Sequence, residues 1–150
     1  MKKIYLAIPY TGMRRKSYKM ANAATANIMK GHPDINVFSP ITHSHPMTKF
    51  KMPQTWEFWG PIDEQFIDWA DEVWIFLGKI KSTPVSILDF TISSLYEKVR
   101  NSTGVQAEMR YAILDDKPIQ IVVLHEGRYF VFNLRERDYE KFLNPEYDPE

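Results

Sequence analysis

The stretch Asn101-Ser102-Thr103-Gly104-Val105-Gln106-Ala107-Glu108 carries the densest chemical signal in the sequence. It reads as the start of a helix, where N–H groups without partners and a partial positive charge favour an anion. Gly104 lets a ligand come close to the backbone, and Glu108, about one turn in, is expected to stay ionised beside that positive end. An ionised carboxylate facing a pocket is what nucleophilic attack at an anomeric carbon needs. The same residues also have a plainer reading. Thr103-x-x-Gln106 spells a capping box, and a glutamate in an early helical turn is ordinarily a solvated partner of the helix dipole.

Breaking an N-glycosidic bond takes two carboxylic groups, one attacking or stabilising the sugar and one delivering a proton to the departing base. Asp63, Asp68 and Asp71 are the candidates for the second group. Asp71 immediately precedes a buried strand and reads as a helix-end residue. Asp63 and Asp68 are five apart and do not share a helical face, so at most one points into a given pocket. Periodicity alone does not choose between them. His43 and His45, two apart with no evident third ligand, make a poor zinc site, so no metal is expected. A hydrogen-bonding role at a pocket rim and an inert polar loop both remain open for them. The four tryptophans fall between Trp56 and Trp74. Trp69 and Trp74 have the placement of core residues, whereas Trp56 or Trp59 can either stack on a nucleobase or pack inside. His32 and His125 read as surface residues.

These residues must be held by elements that the hydrophobic pattern outlines. Ile4–Ile8, Ile35–Phe38, Glu72–Leu77 and Pro118–Leu124 are short apolar runs suited to buried strands, and Tyr129–Phe132 pairs with the last through a Glu126-Gly127 turn. Arg14–Lys30 reads as a helix with Tyr18, Ala21, Thr25, Ile28 and Met29 on one face and Gly31 as its C-terminal cap. Trp56–Ala70 reads as a second helix that Gly60-Pro61 should break or restart. A polar loop is expected from Ser39 to about Thr55. Ser82-Thr83-Pro84 starts a helix aligning Leu88, Ile92, Leu95, Tyr96 and Val99, and another runs from near Ser102 to Leu114. Strands alternating with helices predict one α/β domain over residues 1–150, a Rossmann-like or flavodoxin-like parallel sheet of about five strands flanked by helices. In such a sheet ligands bind beyond the C-terminal strand ends, which directs attention to Pro9–Arg14, Ser39–His45, the segment after Leu77, and the turn into Ser102.

With 150 residues, 44% of them apolar and 25% charged, the chain suits one soluble globular domain. Nineteen basic and nineteen acidic residues cancel, so the total charge gives no sign of a nucleic-acid polymer or a membrane surface as partner. The distribution is uneven, with nine bases and only Asp34 as acid up to Lys51, and six acids in the polar tail 134–150. A basic first third suits an anionic small molecule, although a solvated helix face accounts for it too. The absence of cysteine excludes disulfides, thiol nucleophiles and Cys-ligated metals. Met1-Lys2-Lys3-Ile4 is not continued as a signal peptide, because Pro9 and Arg14-Arg15-Lys16 interrupt the apolar run. No stretch approaches the ~20 apolar residues of a membrane span. A cytoplasmic setting is expected.

Several short motifs, in order, resemble the nucleoside 2-deoxyribosyltransferase superfamily, which includes the 2'-deoxynucleoside 5'-monophosphate N-glycosidases. They are Ile4-Tyr5-Leu6-Ala7, Asp63 followed by Ala70-Asp71-Glu72-Val73, and Ser102-x-Gly104-Val105-x-x-Glu108 with Ala112 and Lys117-Pro118-Ile119. Ser39-Pro40-Ile41-x-His43-Ser44-His45-Pro46 and Trp56-x-Phe58-Trp59 bring the resemblance closer to a phage and bacterial branch. The resemblance spans about Lys3 to Val123 and implies N-glycosidic cleavage or transfer on a nucleoside or nucleotide, without a cofactor. It implies Glu108 as nucleophile, Asp63 as the acid, Tyr5 as the residue orienting the nucleophile, and Ser102 as a substrate contact, often to phosphate. Pro9, Tyr10, Thr11, Arg14, His43, His45, Trp59 and Gly104 are the further substrate-binding candidates. A homo-oligomer is also implied, with Tyr139, Phe142 and Tyr147 of the tail reaching a partner. A non-catalytic nucleotide-binding or sensing module with the same fold is the alternative.

Two departures stand out. The monophosphate glycosidases carry Gly-Ser-x-Arg-Gly-Gly after the first strand; here Ile8-Pro9-Tyr10-Thr11-Gly12-Met13-Arg14 puts Thr11 in the arginine's place, leaving Arg14 or Arg15 to compensate. Most of Gly78–Arg100 is an insertion, expected to pack on the body or across a dimer, or to act as a lid.

Overall fold

A computed structural model describes residues 1–10, 14–81 and 93–146. Five strands form one sheet: β1 (Lys2–Ala7), β2 (Ile35–Phe38), β3 (Glu72–Lys79), β4 (Ile119–His125) and β5 (Arg128–Asn133). Their order is β2-β1-β3-β4-β5; the first four are parallel and β5 is antiparallel to β4. This is a flavodoxin-like sheet in which the chain runs to one side of β1 and then returns to the other, leaving a crevice at that reversal. The hairpin β4–β5 turns through Glu126 (φ 48°) and Gly127 (φ 77°), both left-handed as the tightest two-residue hairpin requires.

Among the described residues, five helices flank the sheet: α1 (Arg14–Gly31), α2 (Pro40–Ser44), α3 (Trp56–Trp69), α4 (Ser93–Arg100) and α5 (Thr103–Leu114). Alternation along β1 divides the core in two. Ile4, Leu6 and Ile8 pack with Ala21, Ala24 and Ile28 of α1, while Tyr5 and Ala7 face Ile67 of α3 and Val105, Met109 and Ala112 of α5. The period of two therefore sends Tyr5 to the side where Asp63 and Glu108 lie.

The expected apolar face of α1 is rotated. Its buried residues are Ser17, Ala21, Ala24 and Ile28, and Met29 is exposed, because small side chains let the helix come close to the sheet. Gly31 is the last helical residue and not a left-handed cap; the His32 N–H still bonds to Ile28 O at 3.0 Å. Gly60-Pro61 does not break α3. Pro61 deprives only the Glu57 carbonyl of its partner, close to the exposed start of the helix, and a Cβ on Gly60 would stand 2.6 Å from the Trp56 indole that lies against it.

The expected polar loop after β2 is helical instead. Ser39 caps α2 by accepting from Thr42 N, Pro40 opens it, and a 3₁₀ turn covers His45–Phe50. Of the insertion, Val99 is fully buried and Tyr96 packs on Phe142, their centroids 4.8 Å apart. The expected helix start at Ser82 lies outside the described residues.

As far as Asn144, the tail is folded onto its own chain. Phe142 and Leu134 are buried in the core, whereas Tyr147 lies outside the described residues. The buried Gln106 side chain anchors this segment, donating to Val99 O (2.8 Å) and Phe142 O (2.7 Å) and accepting from Asn144 N (2.7 Å). His125, expected at the surface, is buried with Nδ1 3.1 Å from Ile80 O. Trp74 is buried, and Trp69 packs half-buried against the core with Lys3 over its ring.

Candidate active site

A cavity of about 410 Å³ opens at the crevice beside β1, within the size range of small-molecule sites. Its wall combines Ile8, Tyr10 and Arg14 after β1, residues of the 40–57 stretch after β2, Trp59 and Asp63 of α3, and Ser102, Thr103, Gly104 and Glu108 at α5. The stripe Trp56, Trp59, Gly60, Asp63 recurs at three- and four-residue spacing, which is how one face of α3 presents both tryptophans and the acid to one space. Asp68 lies off that stripe and accepts from the Tyr111 hydroxyl (2.8 Å) at the exposed end of the helix.

Ser102, not Thr103, caps α5: its Oγ accepts from Val105 N at 3.3 Å, and Gln106 is committed to the tail, so the expected Thr103–Gln106 capping box does not form. Helical side chains lean toward the N-terminus. Glu108 accordingly lies back over the first turn, with Oε1 3.8 Å from the point where a Gly104 Cβ would be. Oε2 accepts a short hydrogen bond from the hydroxyl of Tyr5, 103 residues earlier and fully buried. Glu108 is 5% exposed and Asp63 8%, so neither is a solvated surface acid.

Burial chiefly, and then the charge of Asp63, raises the Glu108 carboxyl well above the ordinary range; the Tyr5 hydrogen bond opposes this. The helix start therefore does not by itself keep Glu108 ionised, contrary to expectation. Asp63 is raised to about 7, first by burial and then by Glu64. Tyr5 is pushed well above its usual value by burial and by Glu108, so it remains a donor. The pair holds one proton more readily than none.

Among the other candidates, Tyr10, Arg14, Trp59, Ser102 and Gly104 line the cavity, and Tyr5 stands behind Glu108. Arg14 is the one cation among the described lining residues; it bonds to Gln54 across the opening and lies 5.8 Å from the centre of the Tyr10 ring. His45 and His43 stand behind the wall. His45 Nδ1 is 2.5 Å from the Tyr10 hydroxyl and its ring stacks on Tyr18, while His43 sits edge-on to Trp59 beside Phe38. Pro9 does not line the cavity; its carbonyl accepts from Ser17 Oγ at 2.6 Å. Thr11 lies outside the described residues. Sequence reasoning pointed to the Ser39–His45 segment without singling out Ile41 or Ser44, and passed over Thr48, Met52, Gln54 and Glu57; all six line the cavity. Ser39-Pro40, a hydroxyl cap before proline, was the available signal for the first of these.

Fold and site together define an α/β protein with a buried carboxyl pair in its strand-end crevice. No family model and no curated protein matches the chain. Among solved structures it is similar to a 2-deoxyribosyltransferase from the psychrotolerant bacterium Bacillus psychrosaccharolyticus, at 19% identity and a TM-score of 0.44, over 83% of this chain and 74% of that one. No helix among the described residues is long and apolar enough to cross a membrane.

Proposed function

We propose that this chain cleaves or transfers the N-glycosidic bond of a (2'-deoxy)nucleoside or nucleoside 5'-monophosphate through a covalent glycosyl-enzyme on Glu108. The observation that carries this is the Tyr5–Glu108 hydrogen bond beside Asp63 in one cavity. Glu108 Oε1 bonds to C1' as the C1'–N bond breaks, its electron pair leaves with the base, and Asp63 supplies the proton that the base takes up. Water, losing a proton to Asp63, or a second base then attacks C1' and frees Glu108. The reaction needs one carboxylate and one carboxylic acid, and a pair sharing a single proton has that count whichever member holds it. Positive charge developing on the sugar, the α5 N-terminus and the Tyr5 hydroxyl all favour placing the negative charge on Glu108. Arg14, at the opening, attracts a substrate anion such as a 5'-phosphate, with Ser102 and the first turn of α5 nearby. A homo-oligomer belongs to the same reading and is checked by sedimentation.

Incubation with nucleosides and their 5'-monophosphates, with and without an acceptor base, tests this by chromatography of released base. Release that vanishes in Glu108→Ala is the expected result. Unchanged release in that variant removes the mechanism, and tight binding without turnover across the panel supports the non-catalytic binding module instead. Equal rates for a nucleoside and its monophosphate would remove the phosphate role of Arg14 and Ser102.

A further inference from the structure

We infer that Lys49 and Lys51 make this site select nucleoside 5'-monophosphates over nucleosides, through the electrostatic field they set up at its mouth; the inference rests on the proposed N-glycosidic reaction. Thr48 and Met52, immediately before and after this tip in the chain, line the cavity, so residues 49–51 stand at its rim. Both lysines are exposed, as is Phe50 between them, whose ring centre lies 5.3 Å from the Lys49 ammonium. Lys51 closes the 3₁₀ turn in a left-handed conformation (φ 58°), where glycine would sit without strain. A charged side chain occupies that position instead.

The uneven charge of the first third separates into two groups in the fold. From Arg14 to Trp56 the sequence has seven bases and a single acid, Asp34. Asp34 and Lys30 lie beside the start of β2, at the opposite end of the strands from the cavity. Arg14, Arg15 and Lys16 open α1, which follows the C-terminal end of β1, and all three are exposed. With Lys49 and Lys51 they put five positive charges at the cavity end of the sheet. None of the five forms an ion pair with a described residue, and the side chain to which Arg14 bonds, Gln54, is neutral. The acids on the cavity wall are Glu57 and the Asp63–Glu108 pair. With one proton on that pair, the wall carries two negative charges, and the mouth is left with a positive surplus. A solvated face of α1 does not account for Lys49 and Lys51, which belong to a different element.

Such a field needs no direct contact with the ligand. It acts on charge: a 5'-phosphate carries close to two negative charges at neutral pH, and a nucleoside carries none. Dissolved salt screens it, a signature that a packing role for the same residues lacks.

The test compares kcat/KM for base release from deoxynucleosides and their 5'-monophosphates, at low and high salt, in wild type and in Lys49→Gln/Lys51→Gly. Two lysines acting on a phosphate dianion across roughly 10 Å of solvent should raise kcat/KM about five- to tenfold at 10 mM salt, and less than about twofold at 0.5 M. The double variant should lose that factor for monophosphates, keep its rate on nucleosides, and unfold no earlier than wild type, because glycine suits position 51. Lys49→Gln alone should lose about two- to threefold at low salt. Phe50→Ala keeps both charges and should keep the preference. An unchanged monophosphate rate in the double variant, a loss that salt does not erase, or an equal loss in Phe50→Ala overturns the inference and leaves the glycosidic reading standing. If no substrate releases base, that reading falls. Titration of the same nucleosides and monophosphates then decides alone: monophosphate affinity that drops in the double variant only at low salt sustains the field, and unchanged affinity refutes it.

Discussion

Replacing Asp63 by asparagine should stabilise this protein while impairing it, by an amount that grows with pH. The Asp63 carboxyl titrates at about 7 in the folded chain against an ordinary 3.8, a rise of about three units caused first by burial and then by Glu64. Each unit corresponds to about 1.4 kcal/mol, so the ionised form costs the fold about 4 kcal/mol. Between those two values the folded protein keeps a proton that the unfolded chain has released. Stability therefore falls as pH rises through this window, and the deficit is complete above about 7. An asparagine side chain at this position carries no charge to bury. For a chain of this length about 4 kcal/mol corresponds to roughly 10 °C in Tm. Thermal unfolding of wild type and Asp63→Asn from pH 4 to pH 9 should give curves that meet near pH 4 and diverge to about that gap above pH 7. Base release by the variant should fall by two to four orders of magnitude, roughly the usual worth of a positioned acid. Parallel Tm curves across the range would refute the electrostatic argument.

The proposed reaction itself should slow below about pH 7, approaching tenfold per unit, because both carboxyls of the pair are then protonated and no nucleophile remains; a kcat/KM–pH profile checks this. Tyr5→Phe removes the donor to Glu108, a bond worth about 1.5–3 kcal/mol, so kcat should drop about ten- to a hundredfold and the acid limb should move to higher pH. Gln106→Ala leaves the Phe142 carbonyl and the Asn144 N–H without their partner and removes one of two donors from Val99 O, costing about 3 kcal/mol and lowering Tm by roughly 6–12 °C by calorimetry. Gly60→Ala sets a methyl carbon where the Trp56 indole now lies, 2.6 Å from its Cε2; the displaced ring should change tryptophan emission and weaken nucleobase binding measured by titration.

Strand positions were readable because burial on both faces leaves continuous apolar runs, as in Ile4–Ile8 and Val73–Leu77, and the left-handed Glu126-Gly127 turn is spelled in the residues themselves. The carboxyls were nameable by type; Asp63 and Glu108 line one cavity, and Tyr5 stands behind Glu108, bonded to it. What the sequence withheld depends on packing between distant segments. Gln106 fits a local capping pattern, yet its amide is drawn to the 142–144 backbone, a contact across 36 residues that no short-range rule contains. The ionisation of Glu108 was misjudged for the same reason: the helix start is local, whereas burial and Asp63 come from other elements and outweigh it. Pro61 was read as a break, but the carbonyl it strands is near the wet end of α3, where the loss is cheap.

Tyr5 belongs to β1, an inner strand, paired at its own register with Phe38 on one side and Val73 on the other. The hydroxyl that steadies Glu108 is therefore as immovable as the sheet, while residues 40–57, which shape the mouth, hang on short-range turns and a few side-chain ties. On the proposed reaction, reactivity and selectivity are thus housed in separate parts of the chain. Grafting a different stretch between Phe38 and Trp59 would be the natural way to retune which molecules are accepted without touching the machinery that acts on them.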